Sequence, residues 1–189
     1  ISDMRQAQKA ITNVVCDAER MAGIKIDRLE VALSGAETLS QKKIVKSKIA
    51  SDMVKTSDIT NLANSIRFEY KKNNREVIHL LPLQYRIDDS NPVQNPRYMT
   101  GEFLSARFNV VSSSSTTARN IENCLKRCQL SVYNYVAESY SSALSSLTDN
   151  ELNLGTAVID IGGGDTSFAI IFDNKLVYTG NFNAGGIHI

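Results

Sequence analysis

The chain has no tryptophan, and among its 189 residues are only 3 prolines, 3 cysteines and 10 glycines. So little proline and glycine argues against a collagenous or disordered chain. Three cysteines cannot all pair, which argues against a disulfide-stapled scaffold and for a reducing compartment. Charge of one sign is missing too: 21 Lys+Arg face 20 Asp+Glu, a formal net charge of +1. That balance gives no electrostatic case for nucleic acid as a partner. No stretch reaches the roughly 20 apolar residues of a membrane span, and no signal peptide is visible. What is present is ordinary globular material, 42% hydrophobic and 22% charged, enough for one domain or two small ones. The chain starts at Ile1 without an initiator methionine and stops at Ile189 just past Gly185-Gly186. It reads as a piece of a longer protein.

Met4, Ala7, Ile11, Val14, Val15, Ala18 and Met21 recur at helical spacing and predict a helix over 3–22, capped by Ser2 or Asp3 and closed by Gly23. A short apolar strand follows over 29–33. Residues 41–48 carry four lysines around Ile44 and Val45, an exposed strand or loop. Thr56-Ser57-Asp58 is placed to cap a second amphipathic helix through Tyr70. Residues 77–81 predict a strand ended by Pro82, and 91–101 a loop. The alternation of Leu104, Ala106, Phe108 and Val110 with polar residues predicts a strand with one wet face. The polar run 112–117 reads as a linker. Beyond it come a helix carrying Ile121, Cys124, Leu125 and Cys128 on one face, a strand at 132–136, a small-residue helix at 139–147 and a strand at 156–161. Strands on either side of Asp173-Asn174 predict a hairpin. The fold class is therefore α/β, with an insert of different texture in the middle.

The strongest chemical signal is Asp160-Ile161-Gly162-Gly163-Gly164-Asp165-Thr166. Glycines without Cβ atoms let backbone amides approach an anion and permit positive φ. Asp160 at the strand end is placed to hold Mg²⁺ beside phosphate oxygens, and Thr166 to add a hydroxyl donor. A tight hairpin using glycine for its turn alone is the plainer reading. No Gly-Lys-[Ser/Thr] follows, so this is not a Walker loop, and a strand rather than a helix comes next, so it is not a Rossmann fingerprint. The order strand, Asp, glycine turn, strand resembles the second phosphate loop of actin-like nucleotidases. Glu138, in a segment similar to "(I/V)-x-E-P-x-A-A-A" of MreB and the heat-shock chaperone ATPases, is the candidate to position water for attack on a γ-phosphate. Ser139 stands where Pro is usual. A plain helix-start acid is the alternative for Glu138.

Five blocks resemble the FtsA family of actin-like cell-division proteins: Ala18-Glu19-Arg20-Met21-Ala22-Gly23 with Val31-Ala32-Leu33-Ser34-Gly35; His79-Leu80-Leu81-Pro82-Leu83-Gln84-Tyr85-Arg86-Ile87-Asp88; Asn95-Pro96-Arg97-Tyr98-Met99-Thr100-Gly101; Leu147-Thr148-Asp149-Asn150-Glu151; and Ala184-Gly185-Gly186-Ile187-His188-Ile189. The resemblance implies an actin-like (ribonuclease H-like) α/β fold. Its first domain, IA, would occupy 1–38 and 116–150. A small α+β subdomain, 1C, would be inserted at 39–115, and an incomplete second domain, IIA, would start over 151–189. It implies ATP with Mg²⁺ as cofactors of the parent protein. Gly162, Gly163, Gly164, Asp165 and Thr166 would bind phosphate, Asp160 the metal, and Glu138 would be catalytic in what is at most a slow ATPase. It further implies a polymer-forming adaptor at the division site, on the cytoplasmic side of the bacterial inner membrane. That adaptor would join to itself through 1C, tie FtsZ to the membrane through a C-terminal helix absent here, and recruit other divisome proteins.

Two departures stand out. Asp165-Thr166-Ser167 replaces the usual Thr-Thr-Asp, adding a carboxylate beside the phosphates. Tyr98 replaces a usual Gly, and a local loop change is expected there. With the first phosphate loop before Ile1 and the adenosine site after Ile189, this piece should bind ATP weakly or not at all. Alternatives are a PilM-like pilus-assembly actin homologue, which shares the insert, and a phosphotransferase or phosphohydrolase of the same superfold. The latter needs a catalytic acid in the insert, where Asp88 and Asp89 read as turn residues. Cys124 and Cys128 read as core packing, His79 and His188 as structural or surface residues, and the lysines of 42–48 as a solvated face or a partner-binding patch.

Overall fold

A computed structural model of the chain describes residues 3–35, 38–88 and 90–188. The alternative cap Ser2, the turn residue Asp89 and the terminal Ile1 and Ile189 lie outside these. Helix α1 (Met4–Ala22) is capped by Asp3, whose carboxylate accepts the amides of Arg5 and Gln6 at 2.8 and 3.0 Å. Gly23 ends it in the left-handed region at φ 68°, where a Cβ is unfavourable. Strand β1 (Arg28–Leu33) then enters a body that the insert interrupts.

The insert builds its own antiparallel sheet. Strands β2 (Leu39–Lys48), β3 (Arg75–Ile87) and β4 (Phe103–Ser114) lie in the order β2-β4-β3, and helix α2 (Thr56–Lys72) covers one face. Leu62, Ile66 and Tyr70 of α2 meet Leu104, Ala106, Phe108 and Val110 of β4, and each of these side chains is buried. Burial of each large apolar member stabilises the fold by about 1.5–3 kcal/mol. The phenol of Tyr70 donates to Gln41 Oε1 at 2.8 Å.

After the insert come α3 (Ser115–Arg127), β5 (Ser131–Ala137), α4 (Glu138–Ser146), α5 (Asp149–Leu154), β6 (Thr156–Ile161), β7 (Thr166–Phe172) and β8 (Lys175–Phe182). β5 pairs in parallel with β1, and β6, β7 and β8 form an antiparallel meander. A second core joins these two sheets and the end of the insert: Leu33, Ala137, Ala143, Ala169, Ile171 and Leu176 pack with Ile78 of β3 and Val111 of β4. Asp173 and Asn174 turn the β7–β8 hairpin, both with positive φ (53° and 56°), as their side chains tolerate.

Several expectations need correction. The strand expected to stop at Pro82 runs on to Ile87. β3 is an edge strand, where proline's missing N–H removes no ladder bond, and the register shifts between Pro82 and Gln84 absorb the ring. The run 112–117 is no linker. Ser112 and Ser113 end the central strand β4, fully buried, and Ser114 caps α3. The wet face expected for 104–110 is short: Arg107 is exposed, but Asn109 is buried against β8. The cap of α2 is Lys55, not the Thr56-Ser57-Asp58 cluster. Asp58 sits inside the first turn and accepts the Lys55 amide at 2.7 Å. α5 is a short helix fixed by its ends, with Thr148 as cap and Glu151 accepting the Thr148 amide at 2.8 Å. That backbone bond, with one from the Thr148 hydroxyl, holds the Glu151 carboxyl below its ordinary pKa.

Tyr98, where the resemblance has Gly, adopts φ 67° on an exposed loop. Its amide donates to Val54 O at 3.0 Å, and the Val54 amide donates to Met99 O at 2.9 Å. The backbone here takes the conformation glycine favours, with a bulky residue bearing the strain. Tyr98→Gly is expected to stabilise the chain by about 0.5–1 kcal/mol, since the relief of left-handed strain exceeds the added chain entropy. A rise in the thermal midpoint would show it; a fall would mean the tyrosine ring contributes more than the strain removes.

Candidate functional site

The site is the turn between β6 and β7. Ile161 pairs with Thr166, and the amide of Gly162 donates to Asp165 O at 2.9 Å, closing the loop 162–165. Gly162, Gly163 and Gly164 are exposed. None of them has positive φ, contrary to the expected conformational role. What they contribute is the absence of side chains, which leaves the turn backbone bare. A Cβ on Gly164 would meet nothing within 4 Å, and one on Gly163 would meet only Ile187 Cδ1 at 3.9 Å. Among the described residues the amides of Gly163 and Gly164 donate to no protein group. Two free adjacent N–H groups on an exposed turn suit an anion.

The C-terminal segment lies over this turn. Gly186 and Ile187 donate to the carbonyls of Gly162 and Gly163 at 2.9 and 3.0 Å. Gly185 is required by this approach, since a Cβ there would fall on Gly162 O and 2.7 Å from Gly163 O. The amide of Gly185 donates to His188 Nδ1 at 3.2 Å. Thr166 is buried, and its hydroxyl donates to Ala184 O at 2.6 Å. The structure thus engages that hydroxyl in holding the segment down. Asp165 is half-buried, next to the turn.

Asp160 is half-buried near the end of β6, and Ser142 of α4 donates to its Oδ2 at 2.6 Å. That bond fixes the carboxylate and leaves its other oxygen without a protein donor among the described residues. Glu138 opens α4, half-buried, one helical turn before Ser142 and on the same face. Ser139, in place of Pro, shares a hydrogen bond with Thr179 of β8 at 2.6 Å, and Thr179 donates onward to Phe168 O at 2.9 Å. These serines pin α4 to the meander. Ser142 and Gly185 also shape this region, and the small-residue helix and the Gly-Gly pair are the only signals of them in the sequence.

His79 links the insert to this helix. Its Nε2 accepts the amide of Ala137 at 2.9 Å, and its ring stands edge-on to Tyr140, with centroids 5.2 Å apart. Burial lowers its pKa from the ordinary 6.5. As an acceptor it must be neutral. Below pH 6.5 the unfolded chain takes up a proton that the folded chain excludes. Stability is therefore full above 6.5 and falls as pH drops towards the lowered folded-state value. His79→Gln, which does not titrate there, is expected to flatten the stability profile below pH 6.5. An identical acid slope in the variant would remove His79 from that role.

Tyr135 donates to Ala118 O at 3.0 Å, and its pKa is pushed up to about 12 by burial, then by the nearby charges of Glu122 and Glu76. Cys124 is buried within α3, and Cys128, half-buried, has Thr12 Oγ1 at 3.6 Å. Among the described residues no group of three His, Cys, Asp or Glu is placed to hold a metal, so Asp160 would need phosphate and water to complete a Mg²⁺ shell. No described helix is long and apolar enough to cross a membrane.

An α/β body with a separate inserted sheet and a strand–glycine turn–strand element defines an actin-like fold carrying an insert. A solved structure, the PilM-PilN type IV pilus biogenesis complex, shares it with a TM-score of 0.64 over 96% of this chain and 49% of that chain, at 13% identity. Residues 35–112 match the SHS2 domain inserted in FTSA. The whole chain is 32% identical to the cell division protein FtsA of Agrobacterium fabrum, over 43% of that relative. It is 28% identical to FtsA of Escherichia coli K12 over 179 residues, 95% of this chain and 43% of that relative. The chain is thus similar to FtsA along its whole length, its insert matches the FtsA insert, and it spans less than half the length of these relatives.

Proposed function

We propose that this chain is the part of a cell-division actin homologue that supplies one phosphate-binding turn and an inserted contact module to an ATP-binding, polymer-forming protein. The observation that carries the reading is the pair of amides at Gly163 and Gly164, which donate to no protein group among the described residues and whose glycines carry no side chain of their own. The residues fit a nucleotide with Mg²⁺ in part. The two amides would hold phosphate oxygens, and the free oxygen of Asp160 would hold the metal through water. ATP bound there supplies a charge that couples the turn to the rest of the fold. Glu138 is the group to orient water, if hydrolysis occurs. Thr166 contributes by fixing the covering segment and not by touching phosphate.

In the parent protein this ligand-controlled body ties FtsZ to the cytoplasmic face of the membrane at the division site and recruits other division proteins. The insert, with its own sheet and core, joins one subunit to the next. The pilus-assembly reading has only the likeness of fold behind it, whereas the family match extends along the whole chain. Among the described residues the insert offers no convergent acid for a phosphotransferase: Asp88 accepts the amides of Glu102 and Phe103 and serves a turn.

Gly163→Val in the longer parent tests the turn. A Cβ there makes only an ordinary contact with Ile187, so the nucleotide-free thermal midpoint should hold while ATP affinity falls at least about tenfold, because branched carbons cover the amides. Unchanged affinity by calorimetry would show that phosphate binds elsewhere. Co-pelleting of the parent with FtsZ on lipid vesicles tests the adaptor role separately.

A further inference from the structure

α2 covers only one face of the insert sheet. The opposite face displays cations on three adjacent strands. Register places Ile44 of β2 opposite Arg107 of β4, with Gln84 of β3 on the other side of Arg107. In the next row Lys46 and Arg86 flank Ser105. Lys42 lies two residues up β2 on the same face. Lys42, Lys46, Arg86 and Arg107 are exposed, and none takes part in an ion pair among the described residues. Three described acids nearby are otherwise engaged. Asp88 accepts two backbone amides, Glu102 pairs with Lys48 at 3.6 Å, and Asp173 pairs with Lys175 at 3.0 Å.

This face is a trough. One cavity of about 300 Å³ is lined by three cations, Lys46, Arg86 and Arg107, by Ile44, and by the one carboxylate Asp88, which is held by backbone amides. A second of about 400 Å³ continues from Gln84 and Arg107 to Leu83, Pro92, Val93, Phe172 and Val177, with Lys42 and the Asp173–Lys175 ion pair also on its rim. Ile44 stands in the middle, 65% exposed. Cations along the sheet and an apolar hollow at one end are two chemistries in one groove.

The geometry points to a docking groove for an extended acidic polypeptide segment, whose carboxylates meet Lys46, Arg86 and Arg107 while one apolar side chain enters the hollow beside Phe172. Charge complementarity selects the acidic chain. Concavity selects a peptide over a bilayer, because a flat lipid surface cannot reach the hollow wall. From Lys42 to Lys46 the strand runs about 13 Å at a rise of about 3.3 Å per residue, so about four or five extended residues span the groove. The groove is separate from the glycine turn and does not depend on nucleotide.

The probe is a fluorescent peptide of glutamates and aspartates around one leucine, titrated into the whole chain. Comparators are an all-acidic peptide without leucine, a lysine-substituted peptide and phosphatidylglycerol vesicles. The leucine peptide should bind tightest and weaken with added salt. Arg107→Glu and, independently, Lys46→Glu should each weaken it by roughly tenfold. Arg107→Lys should retain most of the affinity, with the thermal midpoint unchanged. If Arg107→Glu disturbs folding, the exposed Lys46→Glu carries the test alone. Equal affinity of wild type and folded charge-reversed protein would overturn the groove. So would binding of vesicles but not the peptide, and equal binding of the leucine-free peptide would overturn the apolar anchor.

Discussion

Phe108→Ala is expected to destabilise the insert by about 3–5 kcal/mol, the range for removing a large aromatic side chain from a packed core. Phe108 is 2% exposed on the central strand of its sheet. Its ring meets Tyr85 edge to face at 6.4 Å and lies in the cluster with Leu62, Ile66 and Val110. Strands on both sides and α2 above hold that cluster in place, so little collapse into the hole is available and the cavity term adds to the lost transfer energy. Urea unfolding followed by circular dichroism measures the change. A loss under about 1 kcal/mol would mean the cluster refills, as only a loosely packed core can.

One residue further on, the chain faces the other way. Asn109→Ala is expected to destabilise the joint between the insert and β8 by about 2–3 kcal/mol. The side chain of Asn109 is fully buried. Its Nδ2 donates to Leu176 O at 2.9 Å, and its Oδ1 accepts from Ser40 at 2.8 Å. Alanine deprives both partners of this bond in a place water does not reach, and an unmet buried polar group is the expensive outcome. Hydrogen exchange in β8 should speed up beyond the change in the insert core, because the Asn109 amide is one of the bonds that tie β8 to the insert sheet. A uniform change throughout the chain would show that Asn109 supports the insert alone.

The adjacent pair shows what local pattern reveals and where it stops. Alternation along residues 104–110 marks a strand and makes Phe108 inward, because side chains of a strand point to opposite faces in turn. The same alternation makes Asn109 outward and wet. It is outward from α2, but the second face of β4 is covered there by β8, a strand far along the chain. The run 112–117 fails for the same reason. Serines between apolar segments look like a linker until one sees that Ser112 accepts from Arg75 at 2.9 Å inside a sheet. Pro82 fails differently. Proline ends a strand only when its missing donor is needed, and an edge position, which is a property of the sheet, removes the need.

At the site, the acidic strand, the bare glycines and the small-residue helix are each legible in the order of residues. Gly163 and Gly164 stand free for the reason their composition suggests, though with ordinary φ. Thr166, a plausible phosphate donor by type, is turned to Ala184. No property of a threonine announces which of two nearby acceptors its hydroxyl will take.

Periodicity, capping residues and the glycine run, which act over a few neighbouring positions, by themselves determined the helices, most strands, the hairpin at Asp173-Asn174 and the exposed glycine turn. Only tertiary structure decided that Asn109 and Ser112 are interior, that Gly185 must lack a Cβ, that His79 holds the start of α4, and that four cations share one groove. Each of those depends on segments far apart in the chain being brought side by side. Burial of a polar group is tolerated only once its distant partner has arrived, so no window of neighbouring residues contains the answer.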